Sequence, residues 1–167
     1  LFSASFRQMP PPIEPQATNS AAFGVEAMPA DMRAVKPTGM VSIPVSIRDL
    51  PVYALRMLAT VRQGLLRAGI KDPAAHVLVY RSAWNVRILV SPTAWTDERI
   101  AALKAFCDAR SFDISYYPGI DPVKMRAGLY NDLPSVSFAT GQVTSTGPDD
   151  AIANEAAAVL AGRATPS

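Results

Sequence analysis

One cysteine, Cys107, and one histidine, His76, stand in 167 residues. A lone thiol closes no internal disulfide, and one Cys with one His cannot build the usual zinc cage. Ser-His-Asp or Cys-His chemistry would have to run through His76 alone. No stretch reaches the roughly 18 consecutive apolar residues of a membrane span. No dense lysine run marks a nucleic-acid tail, so no nucleic-acid partner is expected. G-x-G and G-x-G-x-x-G are absent, so the Gly-rich turn that cradles a dinucleotide phosphate is missing. No internal repeat is seen. What is present is a 49% hydrophobic composition with 18% charge, enough for a core and unlike a disordered chain. At 17.8 kDa the chain is one domain or part of one.

The net charge of +2 hides an asymmetry. Residues 33–87 hold nine basic side chains (Arg33, Lys36, Arg48, Arg56, Arg62, Arg67, Lys71, Arg81, Arg87) against Asp49 and Asp72, and the remainder is net acidic. Packing of the basic and acidic segments side by side would cancel this. The sharper reading is an anion site or a contact with an acidic partner.

Along the chain, Pro10, Pro11 and Pro12 forbid helix, so residues 1–22 read as a proline-rich arm or loop. Residues 23–35 suggest a short helix that Pro29 starts or interrupts, and Lys36-Pro37-Thr38-Gly39 a turn. Met40–Ile47 reads as a buried strand weakened by Pro44. Asp49 and Pro51 open a helix to Ala68, with Ala54, Leu58, Val61 and Leu65 as its inward stripe. His76–Arg81 and Val86–Ser91 are apolar runs four residues apart, which predicts a hairpin covered on both faces. Thr96 caps a helix whose inward face is Ile100, Leu103, Phe106 and Cys107, and Phe112–Tyr117 alternates like a strand. Residues 118–148 carry four prolines and four glycines and suggest an irregular wrap. Asp149 and Asp150 then open a last helix by dipole capping, with Ile152, Val159 and Leu160 as its large apolar residues. The divisions expected are 1–22, an α/β half-domain over 23–117, and a wrap with a C-terminal helix over 118–167.

The order strand, helix, strand, strand, together with the phrases VKPTGMVSIPV (35–45), Arg48-Asp49-Leu50-Pro51, AGIKDPAAHVLVYRSAWNVRILVS (68–91) and FCDARSFDISYYPGI (106–120), resembles the C-terminal part of the spermidine-synthase-like family and, more broadly, of class I S-adenosylmethionine-dependent methyltransferases. The resemblance implies an α/β fold: the closing half of a doubly wound, Rossmann-like sheet whose last two strands form an antiparallel hairpin, followed by a C-terminal α/β extension. In such enzymes the S-adenosyl donor binds the first half of the sheet, through a Gly-rich turn and a ribose-holding acid. By this alignment the chain starts after the fourth strand, and a start at Leu1 in place of Met agrees with a fragment. The family's catalytic and cofactor residues then have no positions here. The resemblance implies no cofactor in this chain, an S-adenosyl-type donor for the intact parent, a missing N-terminal half as partner, and an inactive piece. A small-molecule substrate would belong to the parent, in the cytoplasm or on the cytoplasmic face of a membrane; some relatives are fused to membrane segments.

No metal site is expected. His76 and Cys107 read as structural. Trp84 between Arg81 and Arg87 is the local group best suited to a ligand, since an indole with two guanidinia can stack on a ring or pair with an anion; the plainer outcome is a tryptophan covering the sheet end and two solvated arginines. Arg48 and Asp49 join these as candidate contacts. Tyr116, Tyr117 and Tyr130 with Asp113, Asp121 and Asp132 could line a polyamine pocket. The reading from another class is a non-enzymatic α/β module that binds an acidic partner through the basic middle.

Overall fold

The computed structural model describes residues 24–135, 140–144 and 147–164, so the arm expected over 1–22 lies outside the described residues. Four strands, β1 (Val41–Ser46), β2 (Val77–Arg81), β3 (Asn85–Val90) and β4 (Asp113–Tyr116), form one sheet in the order β1-β3-β2-β4. Every neighbouring pair is antiparallel. The helices are α1 (Met28–Ala34), α2 (Val52–Arg67), α3 (Asp97–Asp108), the single turn α4 (Pro122–Met125) and α5 (Ala151–Leu160). The class is α/β with an open antiparallel sheet. Val86–Ser91 lies between Met40–Ile47 and His76–Arg81, so the second strand of the hairpin has a neighbour on each edge.

The strand side chains divide by the period of two. Ile43, Val77, Val79, Val86, Ile88 and Val90 point to one face, where α1, α2 and α5 cover them. Leu78, Leu89 and Ile114 point to the other, where Trp95 and the Ile100, Leu103 and Cys107 side of α3 cover them. The predicted stripe of α2 holds without exception: Ala54, Leu58, Val61 and Leu65 are fully buried. α1 lies across α2 at Gly64, where a Cβ would come within 2.5 Å of the Met28 Cβ. Only glycine permits that approach. Pro29 starts α1 and does not interrupt it.

The Lys36–Gly39 turn is bound by the sheet behind it. Thr93 donates to the Pro37 carbonyl, Ser91 Oγ to that of Gly39, and the Arg99 guanidinium to that of Thr38. Arg99 also lies 3.9 Å over the Trp95 ring.

One expectation is corrected. Phe106 does not join the inward face of α3; it sits 38% exposed and packs edge-on against Tyr80. At 100° per residue the stripe through Ile100, Leu103 and Cys107 leaves it on the flank. His76 ends a 3-10 turn, Pro73–His76, and so lies just before β2 at the head of the expected run. In the segment after β4, Asp121 caps the single turn α4 and Leu133 bridges to Asp150.

Leu58→Ala and Leu89→Ala should each lower unfolding free energy by about 2–5 kcal/mol, the usual range for a buried leucine truncated to alanine. Gly64→Ala should cost about 1–3 kcal/mol by overpacking against Met28, although alanine is the better helix former. Urea midpoints measure all three, and an unchanged midpoint for Gly64→Ala would show that α1 does not lie against α2 there.

Candidate functional site

Arg81 lies in register with Val77 and Val79, so the alternation of β2 points its side chain at the helix-covered face, where it is fully buried. A guanidinium shut off from water must find partners inside. Its Nε donates to Asp150 Oδ2 at 2.8 Å and its Nη2 to the Asn131 carbonyl at 2.7 Å. Nη1 stands 3.5 Å from Asp113 Oδ2, close enough for ionic attraction and too far for a well-formed hydrogen bond.

Each acid is satisfied in turn. Asp150 Oδ1 accepts the Ile152 and Ala153 amides at the start of α5, and its Oδ2 also accepts the Ser115 hydroxyl at 2.9 Å. Ser115 reaches it because the β2–β4 register slips there: Tyr80 pairs with Ile114 and Val79 with Tyr116, leaving Ser115 as the extra residue of a bulge. Asp113 accepts the Tyr130 and Asn131 amides at 2.7 and 2.9 Å. Two carboxylates against one guanidinium leave an excess negative charge, which four backbone N–H groups and the positive end of α5 offset.

Asp149 plays a different part from Asp150. Asp150 alone caps α5; Asp149 accepts Ser135 Oγ at 2.9 Å and Asn154 Nδ2 at 3.0 Å, with Arg126 3.2 Å away. Burial by itself would raise the Asp149 carboxyl. The hydrogen bonds from Asn154, from the side chain and backbone of Ser135 and from the Asp150 backbone outweigh it and hold the carboxyl below its ordinary value. Capping of the helix dipole, expected for both aspartates, is thus the role of one.

The remaining sequence candidates separate. Trp84 is 61% exposed at the hairpin tip, and Arg48, Asp49 and Arg87 are exposed. Arg81 points away from them into the core, so neither expected arrangement of the trio forms: Arg81 does not flank the indole, and it is not solvated. The reason is register, because Arg81 and Arg87 sit on opposite faces of the sheet. The polyamine pocket does not assemble either. Tyr116 is buried, donates to the Ala74 carbonyl, and has its hydroxyl pushed up to about 12, mainly by burial. Tyr117 lies under Lys104, and Asp121 caps α4. Asp113 and Tyr130 do share a pocket among the described residues, of about 210 Å³, lined also by Lys104, Asp108 and Met125.

His76 Nδ1 donates to the Ser91 carbonyl at 2.9 Å. Cys107 is buried and its thiol is pushed up to about 12, chiefly by burial, so it stays protonated and unreactive at neutral pH. Among the described residues no group of three or more His, Cys, Asp or Glu side chains gathers to hold a metal. No family model, curated protein or solved structure matches this chain. The buried polar centre has the geometry of a structural clasp, and Asp113 is its one member that also lines the 210 Å³ pocket.

Sequence reading missed this centre. The available signal was the alternation Val77, Val79, Arg81 in a strand with a helix-covered face, which calls for acids elsewhere in the chain.

Arg81→Ala should cost about 3–5 kcal/mol, because two buried carboxylates lose their counter-charge. Arg81→Met combined with Asp113→Asn and Asp150→Asn should recover part of that loss. A single mutant as stable as the parent in urea would refute the clasp.

The lowered Asp149 carboxyl contributes stability that is fully present above its unfolded value near 3.8 and is lost as pH falls through the lower folded value. Asp149→Asn should therefore flatten the stability profile below about pH 4 relative to the parent, as read from urea midpoints across pH.

Proposed function

We propose that the chain is the sheet-closing C-terminal part of a spermidine-synthase-like or class I methyltransferase-like domain. The intact domain transfers an aminopropyl or methyl group from an S-adenosyl donor to a small acceptor, and this part alone is inactive. The observation that carries the reading is strand order. β1 and β2 run in the same direction, α2 connects them, and β3 inserts antiparallel between them. A hairpin whose second strand enters the middle of the sheet is the arrangement the resemblance implies for the end of such a fold. The VKPTGMVSIPV phrase falls on the turn and strand that open this unit.

A second reading has one observation in its favour. Arg33, Lys36, Arg48, Arg56, Lys71 and Arg87 are exposed, and among the described residues none is in salt-bridge range of a carboxylate. An acidic partner would find these side chains available.

Calorimetry separates the two. The 167-residue chain should bind S-adenosylmethionine no more tightly than roughly 1 mM, about −4 kcal/mol, because the Gly-rich turn and ribose-holding acid are not in its sequence. A longer product of the same gene, carrying such a turn upstream, should bind it in the micromolar range. A micromolar isotherm from the 167-residue chain itself would mean that Arg48, Asp49 or Trp84 contacts the ligand and that the placement within the fold is wrong. A longer product with no Gly-rich turn and no affinity would leave the acidic-partner reading.

A further inference from the structure

Trp84 stands 61% exposed at the tip of the β2–β3 hairpin, and Tyr53 and Leu50 are 44% and 38% exposed where α2 begins. One backbone bond brings the two places together: Ile47 donates to the Trp84 carbonyl at 2.9 Å, at the end of the β1–β3 ladder. Leu50 and Tyr53 follow within one turn, the Tyr53 amide donating to the Leu50 carbonyl. None of the three serves the fold. The hairpin tip closes without the indole, since Ser82 donates to the Asn85 carbonyl and its Oγ accepts the Trp84 and Asn85 amides. Leu50, Tyr53 and Trp84 belong to neither apolar cluster. A single apolar side chain in water needs no explanation, whereas a tryptophan gathered with two more marks a contact surface.

Guanidinia surround this surface. Arg48 precedes Leu50, Arg56 follows Tyr53 by one helical turn, and Arg87 lies on β3 just beyond Asn85. All three are exposed, and among the described residues none is in salt-bridge range of a carboxylate. Asp49 is the one acid between them. Tryptophan, tyrosine and arginine are the residues that carry most of the free energy where proteins meet. A guanidinium fork matches a carboxylate, and an apolar side chain laid on Trp84, Leu50 and Tyr53 would leave water with them. A lipid surface fits less well. Anionic headgroups are held by clusters of about four to eight basic residues, and Asp49 would be carried toward them.

We propose that this end of the sheet, Trp84 with Leu50 and Tyr53 rimmed by Arg48, Arg56 and Arg87, docks an acidic polypeptide segment that carries an apolar anchor. This deepens the acidic-partner reading given under Proposed function and confines it to one surface. Lys36 before β1 and Lys71 before β2 stand at the opposite end of the sheet and take no part.

Trp95 is buried, so a change in tryptophan emission on binding reports Trp84. The probe is a synthetic peptide of glutamates around two leucines. It should shift the emission of the 167-residue chain to the blue and saturate with a dissociation constant below about 1 mM. Glutamines in place of its glutamates, or serines in place of its leucines, should weaken it by about 10-fold or more. Read by calorimetry, Trp84→Ala should weaken binding by about 10-fold, and Arg48→Gln and Arg56→Gln by about 3-fold each. Lys36→Gln and Lys71→Gln should leave it unchanged. All these side chains lie outside the core, so every variant should keep the parent's urea midpoint.

Binding that Lys36→Gln and Lys71→Gln weaken and Trp84→Ala does not overturns this surface and leaves the acidic-partner reading standing. No saturable heat and no shift overturn both. Phosphatidylserine vesicles that shift the emission where the peptide does not make the occupant a lipid surface. Emission that moves with protein concentration alone makes it a second copy. Either result overturns the inference.

Discussion

A guanidinium without access to water has to be neutralised where it stands, and the position of Arg81 makes that demand on three distant parts of the chain. Its partners are Asp113 at the start of β4, the Asn131 carbonyl in the following segment, and Asp150 at the cap of α5. Each partner is tied to further backbone: Asp113 to the Tyr130 and Asn131 amides, Asp150 to the first turn of α5. One buried charge thus joins the last strand, the segment after it and the last helix to the end of β2. An ion pair of this kind is not a large source of stability compared with an apolar replacement, but an incomplete one is costly. The cost of incompleteness selects this arrangement, since moving Asp113 or Asp150 away would leave a charge unpaired.

Apolar packing completes what the charge begins. α5 enters the same core as α2 through Ile152, Ala156, Val159 and Leu160. Its C-terminus ends on Gly162 in the left-handed region, φ +72°, directly against the Arg62 guanidinium of α2, where a Cβ would come within 2.3 Å of Nη2. A cation at a helix C-terminus meets the carbonyl end of the dipole. Arginines from elsewhere thus stand at both ends of α5: Arg81 is bonded to its cap at Asp150, and Arg62 packs against Gly162.

How far the sequence discloses this depends on whether the information is periodic. The α2 stripe, the Thr96 cap and the β2–β3 hairpin are local patterns, and they stand within a residue or two of where they are expected. Phe106 departs from expectation because the apolar arc of α3 is wider than the face it buries. The clasp was illegible for a different reason. Arg81 is separated from Asp150 by 69 positions, and no local rule pairs a strand arginine with a later helix cap. Asp149 and Asp150 look equivalent as neighbours, yet one N-caps α5 while the other binds Ser135 and Asn154, because successive residues point in different directions. The trio expected at the hairpin does not assemble for reasons of period alone: Arg81 and Arg87 flank Trp84 in sequence and occupy opposite faces of the sheet.

The same period bears on how the sheet could extend. Toward the helices of the main core β1 presents Val41, Ile43 and Val45; on its other face are Ser42, Pro44 and Ser46, all exposed, with Arg87 beside Pro44. Among the described residues α3 covers that face over β2 and β4 and nothing covers it over β1, so the second face grades from apolar at Ile114 to polar at Ser42. A sheet wound on both faces normally carries apolar residues on both sides of its inner strands. β1 does so on one side only. A strand added at its edge would extend the main core without strain, since Val41, Ile43 and Val45 already face it. An element laid over the Ser42–Ser46 side would instead have to satisfy two hydroxyls and a guanidinium. Polar contact or retained water, and not apolar burial, must govern that surface.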